Sequence, residues 1–337
     1  MASGRFAPSP TGRLHLGNLR TALVAWLAAR ADGSAFHLRF DDLDTAVVRE
    51  EHYATQLADL EAIGLEWDHP VVHQSDHLDR YRAAVDELVA AELVYPCYCS
   101  RREIREAAQA PNRPLSGHAY PGTCRDLDRA TRAEREATGR RPALRLRSPV
   151  ATRSVPDLVC GTQTFEVDDF VIQRNDGTPA YHLVTVVDDD ALAIELVVRG
   201  DDLLDSAARQ LVVADVLGLD APDHAHVPLV LSPDRERLAK RHGAVTLADR
   251  AALGESTADV VGTLVASLGL GEPDTPVDPG DLGDLAGRFD LAALPRNPLV
   301  LAAPFLAEPD TIQPTRPARR HRGPTSVVDI GTDIDIE

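Results

Sequence analysis

Residues 5–18 read Arg-Phe-Ala-Pro-Ser-Pro-Thr-Gly-Arg-Leu-His-Leu-Gly-Asn, and no other stretch restricts the fold as much. Pro8 and Pro10 cannot continue a sheet ladder, so a strand must end before them. Gly12 and Gly17 permit close backbone approach. From Asn18 onward Leu19, Leu23, Trp26 and Leu27 recur at helical spacing. A buried strand, a glycine turn and a helix follow one another, which aims the helix N-terminus and its unpaired N–H groups at an anion, commonly phosphate. Glycine-containing strand-to-helix turns also occur without ligands. His15 just before Gly17 tips the reading toward a nucleotide.

The rest of the chain repeats the alternation. Residues 36–40 alternate like a strand and end on Asp41-Asp42-Leu43-Asp44. Acidic groups at that end of an open sheet can hold an amine or Mg²⁺, while Asp44 alone could cap the next helix. Tyr53, Leu57 and Leu60 mark one helix. Leu78, Tyr81, Val85 and Leu88 mark another, with a short strand near Val71-Val72 between them. This pattern predicts a parallel sheet with crossovers. From Ala143 to Glu195 strand-like runs dominate, among them Tyr181 to Val187, which the β-branched content predicts as a strand. A helix through Ala208, Leu211, Val212 and Val216 leads to an expected strand over His226–Leu231. Helices are expected around Val261–Leu268 and Leu282–Phe289, then a disordered Pro/Arg-rich tail after Glu308.

The charge is uneven. The chain of 337 residues carries -18 overall, which argues against indiscriminate nucleic-acid binding. Yet residues 101–153 hold thirteen Arg and six Asp or Glu, a balance of +7 that could meet a polyanion at one place. Basic residues number 35, and all but Lys240 are arginine. A lone compact ammonium inside Arg237-Leu-Ala-Lys-Arg241, beside Gly243, suits a moving phosphate better than a guanidinium does. Three of the four cysteines, Cys97, Cys99 and Cys124, lie close in sequence and suggest thiolate ligation of zinc, with Tyr120 or His118 as the local fourth ligand. Cys160 stands apart and reads as a packed residue. Nothing near Met1 resembles a secretory leader, and no apolar run approaches the roughly 18 residues of a membrane span. A cytoplasmic protein that does not meet the membrane is expected.

Taken together, the motifs resemble class I aminoacyl-tRNA synthetases of the glutamyl group over about residues 4–250. Arg5–Gly12 with His15-Leu-Gly-Asn18 is similar to their first signature, and Arg39-Phe-Asp-Asp-Leu-Asp44 to the second. Tyr181-His-Leu-Val with Val198-Arg199-Gly200 is similar to their amino-acid pocket, and Arg237–Arg241 to the mobile lysine signature. Within the group, the short run after the lysine segment and the Cys-x-Cys…Tyr-x-x-x-Cys pattern resemble the glutamyl-queuosine tRNA(Asp) synthetases, in which the tyrosine is the fourth zinc ligand.

The resemblance implies an α/β fold: a Rossmann-type catalytic domain with an inserted zinc-containing α+β subdomain and a short helical C-terminal piece. The expected divisions are 1–94 and 191–243 for the two catalytic halves, 95–190 for the insertion, 244–308 for the helical piece and 309–337 for the tail. It implies activation of L-glutamate by ATP with Mg²⁺, without tRNA, then transfer to the queuosine cyclopentenediol of tRNA(Asp), by a monomer. Arg5 and Arg199 would grip the side-chain carboxylate, Ser9, Asp41 and Tyr181 the amino group, with Phe6, Ala7 and Pro8 lining the amino-acid site. His15, Gly17, Asn18 and Lys240 would bind ATP, with His15 and Lys240 stabilising phosphate charge. Cys97, Cys99, Tyr120 and Cys124 would hold one structural zinc. Asp41 stands where the family has Glu, Arg237 and Ala239 where it has Lys and Ser, so altered kinetics are expected. Charging of a tRNA 3′ end, or a non-catalytic tRNA- or zinc-binding role, are the alternatives.

Overall fold

Five short parallel strands carry the molecule. The computed structural model describes residues 3–108, 120–238 and 245–301. In chain order the first elements are β1 (Gly4–Phe6), α1 (Leu16–Ala31), β2 (Phe36–Phe40), α2 (Glu50–Ala62), β3 (Val72–His73) and α3 (Leu78–Ala90). An antiparallel region follows: β4 (Val94–Cys97), α4 (Arg101–Ala108), α5 (Arg129–Ala137), β5 (Ala143–Leu146), β6 (Thr152–Val155), β7 (Gln163–Glu166) and β8 (Val171–Gln173). The chain then returns through α6 (Tyr181–Ala191), β9 (Leu196–Gly200), α7 (Leu204–Leu217), β10 (Asp223–Val227) and β11 (Val230–Leu231). It ends in α8 (Leu247–Ala252), α9 (Thr257–Ala266), α10 (Leu282–Ala286) and β12 (Leu299–Val300).

The parallel sheet has the order β10-β9-β1-β2-β3. Strand order reverses between β1 and β9, the topological switch point where such sheets open a crevice at their C-terminal ends. A second sheet, β4-β5-β8, and the hairpin β6-β7 are antiparallel. The expected α/β architecture with a parallel sheet is therefore present, and the antiparallel strands fall between its two halves.

Alternation along the parallel strands separates two unlike layers. Phe6, Phe36, Leu38, Leu196 and Val198 join the apolar core with α1 and the C-terminal helices, through Leu19, Leu23, Leu27, Val261, Leu264 and Leu282. The intervening positions, Arg5, Arg39, Arg199, His224 and His226, point the other way and are also buried. Period two here distinguishes an apolar core from a buried layer of charge rather than core from solvent. Helix α1 is buried on almost all sides because the sheet and the C-terminal helices both pack on it.

Two strand expectations are corrected. Tyr181–Val187 is helical: in α6 Leu183, Val184, Thr185, Val186 and Val187 are all buried, so no polar stripe marks a helical period. Packing against α3 and α7 overrides the β-branched preference. The run His226–Leu231 is two strands rather than one, broken at Pro228, which has no N–H for the ladder. Asp44 does not cap α2; Arg49 occupies that position without a side-chain cap, and Asp44 pairs with Arg174 at 3.4 Å. The C-terminal tail expected to be disordered lies outside the described residues, as do Lys240, Ala239 and His118.

Candidate active site

A cavity of about 450 Å³ opens at the C-terminal ends of β1 and β9, at the switch point. Arg5, Phe6, Ala7, Pro8, Ser9, His15, Gly17, Asn18, Asp41, Tyr181 and Arg199 all line it. Eleven positions up to 194 apart in sequence thus line one cavity. The proline loop that forms its rim is held by its own carbonyls: Pro8 O accepts from the Asp41 N–H at 3.0 Å, and Pro10 O from the Arg49 N–H at 3.1 Å. The Gln56 side chain donates to Ser9 O and Gly12 O from behind.

His15 is the N-cap of α1. Its Nδ1 accepts from the Asn18 N–H at 3.1 Å, and the Asn18 side-chain oxygen accepts from the His15 N–H at 3.1 Å. With Nδ1 accepting, the ring proton sits on Nε2. Burial, and next the charge of Arg237, lower the His15 pKa, so the ring is neutral at pH 7. His15 therefore offers a directed N–H donor rather than a positive charge. A Cβ at position 17 would stand 3.0 Å from Nδ1 and Cε1 of this ring, so the space left by Gly17 is filled by His15.

Below the cavity lies a cluster of buried charge. Nε and Nη2 of Arg5 each donate to the Asp189 carboxylate at 3.1 Å, leaving Nη1. Arg39 donates to Asp189 at 2.7 Å and to Asp41 at 2.8 Å. Burial works against the Asp189 charge, but Arg5 and Arg39 outweigh it and hold the carboxyl below its usual range. Burial raises Asp41, with Arg39 opposing. Arg199 donates from Nη1 to the Tyr181 hydroxyl at 3.2 Å and from Nε to His226 at 2.9 Å. Its buried Nη2 has no partner among the described residues, nor has the Thr185 hydroxyl, which also lines the cavity.

Asp189, Arg39, Thr185 and His226 were not among the sequence-derived site residues. A signal existed for two of them: once 181–191 is read as a helix, Tyr181, Thr185 and Asp189 fall at i, i+4 and i+8 on one face. Lys240 lies outside the described residues, but the ends of its segment are tied beside the cavity. Arg237 lines it and pairs with Asp202 at 2.5 Å, and the Leu16 N–H donates to Val245 O at 2.8 Å.

A second cluster lies apart from this cavity, at the end of β4. The sulfurs of Cys97, Cys99 and Cys124 lie within 4.8 Å of one another. The Tyr120 oxygen sits 3.4 Å from the Cys97 sulfur and accepts from the Cys124 N–H at 2.7 Å. The Arg145 guanidinium covers the Tyr120 ring at 3.7 Å. Three thiols and a phenol oxygen converging in a largely buried spot fit a tetrahedral metal site. Cys160 is not part of it; its sulfur donates to His226 O at 3.3 Å. No described helix is long and apolar enough to cross a membrane.

The chain is similar to known proteins in sequence and in fold. Residues 2–261 match the family model of class I tRNA synthetases (E and Q), catalytic domain. The chain is 54% identical over 307 residues to a glutamyl-Q tRNA(Asp) synthetase of Nocardia farcinica, covering 91% of this chain and 95% of that protein. It is 43% identical over 259 residues to glutamate--tRNA ligase 2 of Acidithiobacillus ferrooxidans, covering 73% of this chain and 53% of that protein. In fold it is similar to the glutamate tRNA ligase of Elizabethkingia meningosepticum, solved with its amino acid, at a TM-score of 0.76 and 24% identity, over 90% of this chain and 68% of that one. The chain belongs to the class I tRNA synthetases of the E and Q group, in the family of the glutamyl-Q tRNA(Asp) synthetases, and is a ligase.

Proposed function

We propose that this ligase activates L-glutamate with ATP to glutamyl-adenylate without tRNA, then transfers glutamate to the queuosine cyclopentenediol of tRNA(Asp). The observation that carries the reading is the convergence of Arg5, Arg199 and His15 on one cavity at the switch point. Nη2 of Arg199, without a partner among the described residues, and Nη1 of Arg5, which is not used toward Asp189, would receive the side-chain carboxylate, and two guanidiniums favour glutamate over neutral glutamine. The Tyr181 hydroxyl, Ser9 and Asp41 would hold the amino group. An oxygen of the α-carboxylate attacks the α-phosphorus, and the bond to pyrophosphate breaks. The Nε2–H of His15 would donate to a phosphate oxygen at the α1 N-terminus, beside Gly17 and Asn18. Lys240 would add the mobile charge; the anchoring of Arg237 and Val245 beside the cavity supports this. Mg²⁺ would accompany ATP by shielding its phosphates.

Cys97, Cys99, Tyr120 and Cys124 would hold one structural zinc, remote from this chemistry. The inserted unit, expected over 95–190, would end earlier, at the turn before α6, because α6 lines the cavity with Tyr181 and Thr185; the arginines of α4 and α5 would be offered to tRNA. Glutamate-dependent exchange of pyrophosphate into ATP, measured without tRNA, tests the activation step. Wild type is expected to exchange, and Lys240→Ala to lose about 10²–10³-fold, the usual scale for one electrostatic contact to a transition state. Unchanged exchange in the variant would remove Lys240 from the reaction.

A further inference from the structure

Arg199 is held from behind by a chain of two side chains. Its Nε donates to Nε2 of His226 at 2.9 Å, and Nδ1 of that ring lies 2.6 Å from Oδ2 of Asp157. A guanidinium can only donate, so Nε2 must accept and the ring proton must sit on Nδ1, toward the carboxylate. Both neighbours therefore select the same tautomer. Burial lowers the His226 pKa first and foremost, which keeps the ring neutral. Asp157 is itself immobilised. Its carboxylate accepts from the backbone N–H groups of Val159 at 2.9 Å, Cys160 at 2.7 Å and His226 at 3.0 Å. Burial opposes its charge, but the hydrogen bonds from His226, Cys160 and Val159 prevail and keep it ionised.

The three residues come from different places. Arg199 is on β9 and His226 on β10, paired in register. Asp157 lies in the turn between β6 and β7, in the antiparallel region, and that turn is fastened to β10 by the Leu158 N–H donating to His224 O at 2.8 Å. We infer that Asp157 and His226 are positioning residues for Arg199: they hold its guanidinium so that Nη2 stays free for a substrate carboxylate, and they tie the β6–β7 hairpin to amino-acid recognition. This rests on the reading above, in which Arg199 receives the glutamate side chain. A purely structural role would fasten the hairpin without affecting which substrate the pocket prefers.

The test is steady-state pyrophosphate exchange with glutamate and ATP varied separately. Asp157→Asn places an amide opposite Nδ1; its N–H would favour the other tautomer and set Nε2–H against the Arg199 N–H. The expected result is a KM for glutamate raised at least about tenfold, with the KM for ATP within about twofold. His226→Gln keeps an acceptor toward Arg199 and should lose less than His226→Leu. Wild-type protein gives a readout that needs no folded variant: long-range ¹⁵N NMR should show His226, assigned by backbone-to-ring correlations in the wild-type protein itself, as the neutral Nδ1–H tautomer at pH 7. An Nε2–H pattern would overturn the inference. So would an unchanged glutamate KM in both Asp157→Asn and His226→Leu, or equal rises for glutamate and ATP. Arg199→Gln separates the two claims. If it raises the glutamate KM while Asp157→Asn does not, the positioning role fails alone; if it leaves that KM unchanged, the carboxylate reading fails with it.

Discussion

At the scale of single residues, the site depends on donors whose direction is fixed before any ligand arrives. His15 shows how. Its Nδ1 is used by the Asn18 N–H, so Nε2–H is the free end, and the ring lies over the Cα of Gly17. Gly17→Ala would push a methyl group to 3.0 Å from that ring, tighter than ordinary van der Waals contact. The ring must give by a few tenths of an ångström, which weakens its cap on the Asn18 N–H at a cost of up to about 1 kcal/mol. Misplacing the Nε2 donor should slow glutamate-dependent exchange by roughly 10–100-fold, far more than the stability loss accounts for. Thermal melting beside exchange rates would check both halves. Arg5, Ser9, Tyr181 and Arg199 were reached only through the family resemblance, whereas His15 before Gly17 and Asp41 at a strand end were legible from their local pattern. Asp157 and His226 were not: 69 residues separate them, and nothing local marks either as a neighbour of Arg199.

At the scale of elements, α6 decides how the charged face of the sheet is tolerated. It delivers Asp189 between Arg5 and Arg39, so two guanidiniums buried on β1 and β2 share one carboxylate. Removing it in Asp189→Ala would strand Arg5 and leave Arg39 to Asp41, with Asp188 at 3.6 Å, and should destabilise the fold by about 3–5 kcal/mol, read from denaturant unfolding. A loss under about 1 kcal/mol would mean water or Asp188 compensates. This element was misread from sequence for a physical reason. Five consecutive apolar or β-branched residues are buried on every side, so the run has neither a helical stripe nor strand alternation, and only its packing partners settle its form. By contrast α3 buries only Tyr81, Ala84, Val85 and Leu88, a clear 3.6-residue spacing. The Thr246 and Ser256 capping boxes, each closed by an Asp three residues on, mark the starts of α8 and α9.

At the scale of the whole molecule, buried neutral histidines make the fold sensitive to acid. Burial lowers His182 to about 4 and His224 to about 3, and lowers His15 and His226 as well. Above pH 6.5 these rings are neutral whether the chain is folded or not, so their contribution does not vary. Below 6.5 the unfolded chain binds protons that the folded one refuses, and stability is lost as pH falls toward the folded values. Each such ring contributes a slope of up to about 1.4 kcal/mol per pH unit in that window. Melting temperature should therefore be flat from pH 8 to 7 and fall steeply between about 6.5 and 4; a flat profile through that range would mean the rings are solvated. The central claim, that this pocket prepares glutamate for a modified anticodon, has a more direct test. Radiolabelled glutamate should pass from the enzyme to tRNA(Asp) carrying queuosine and not to the same tRNA lacking it. Equal labelling of both, or labelling at the 3′ end of tRNA(Glu), would contradict the account.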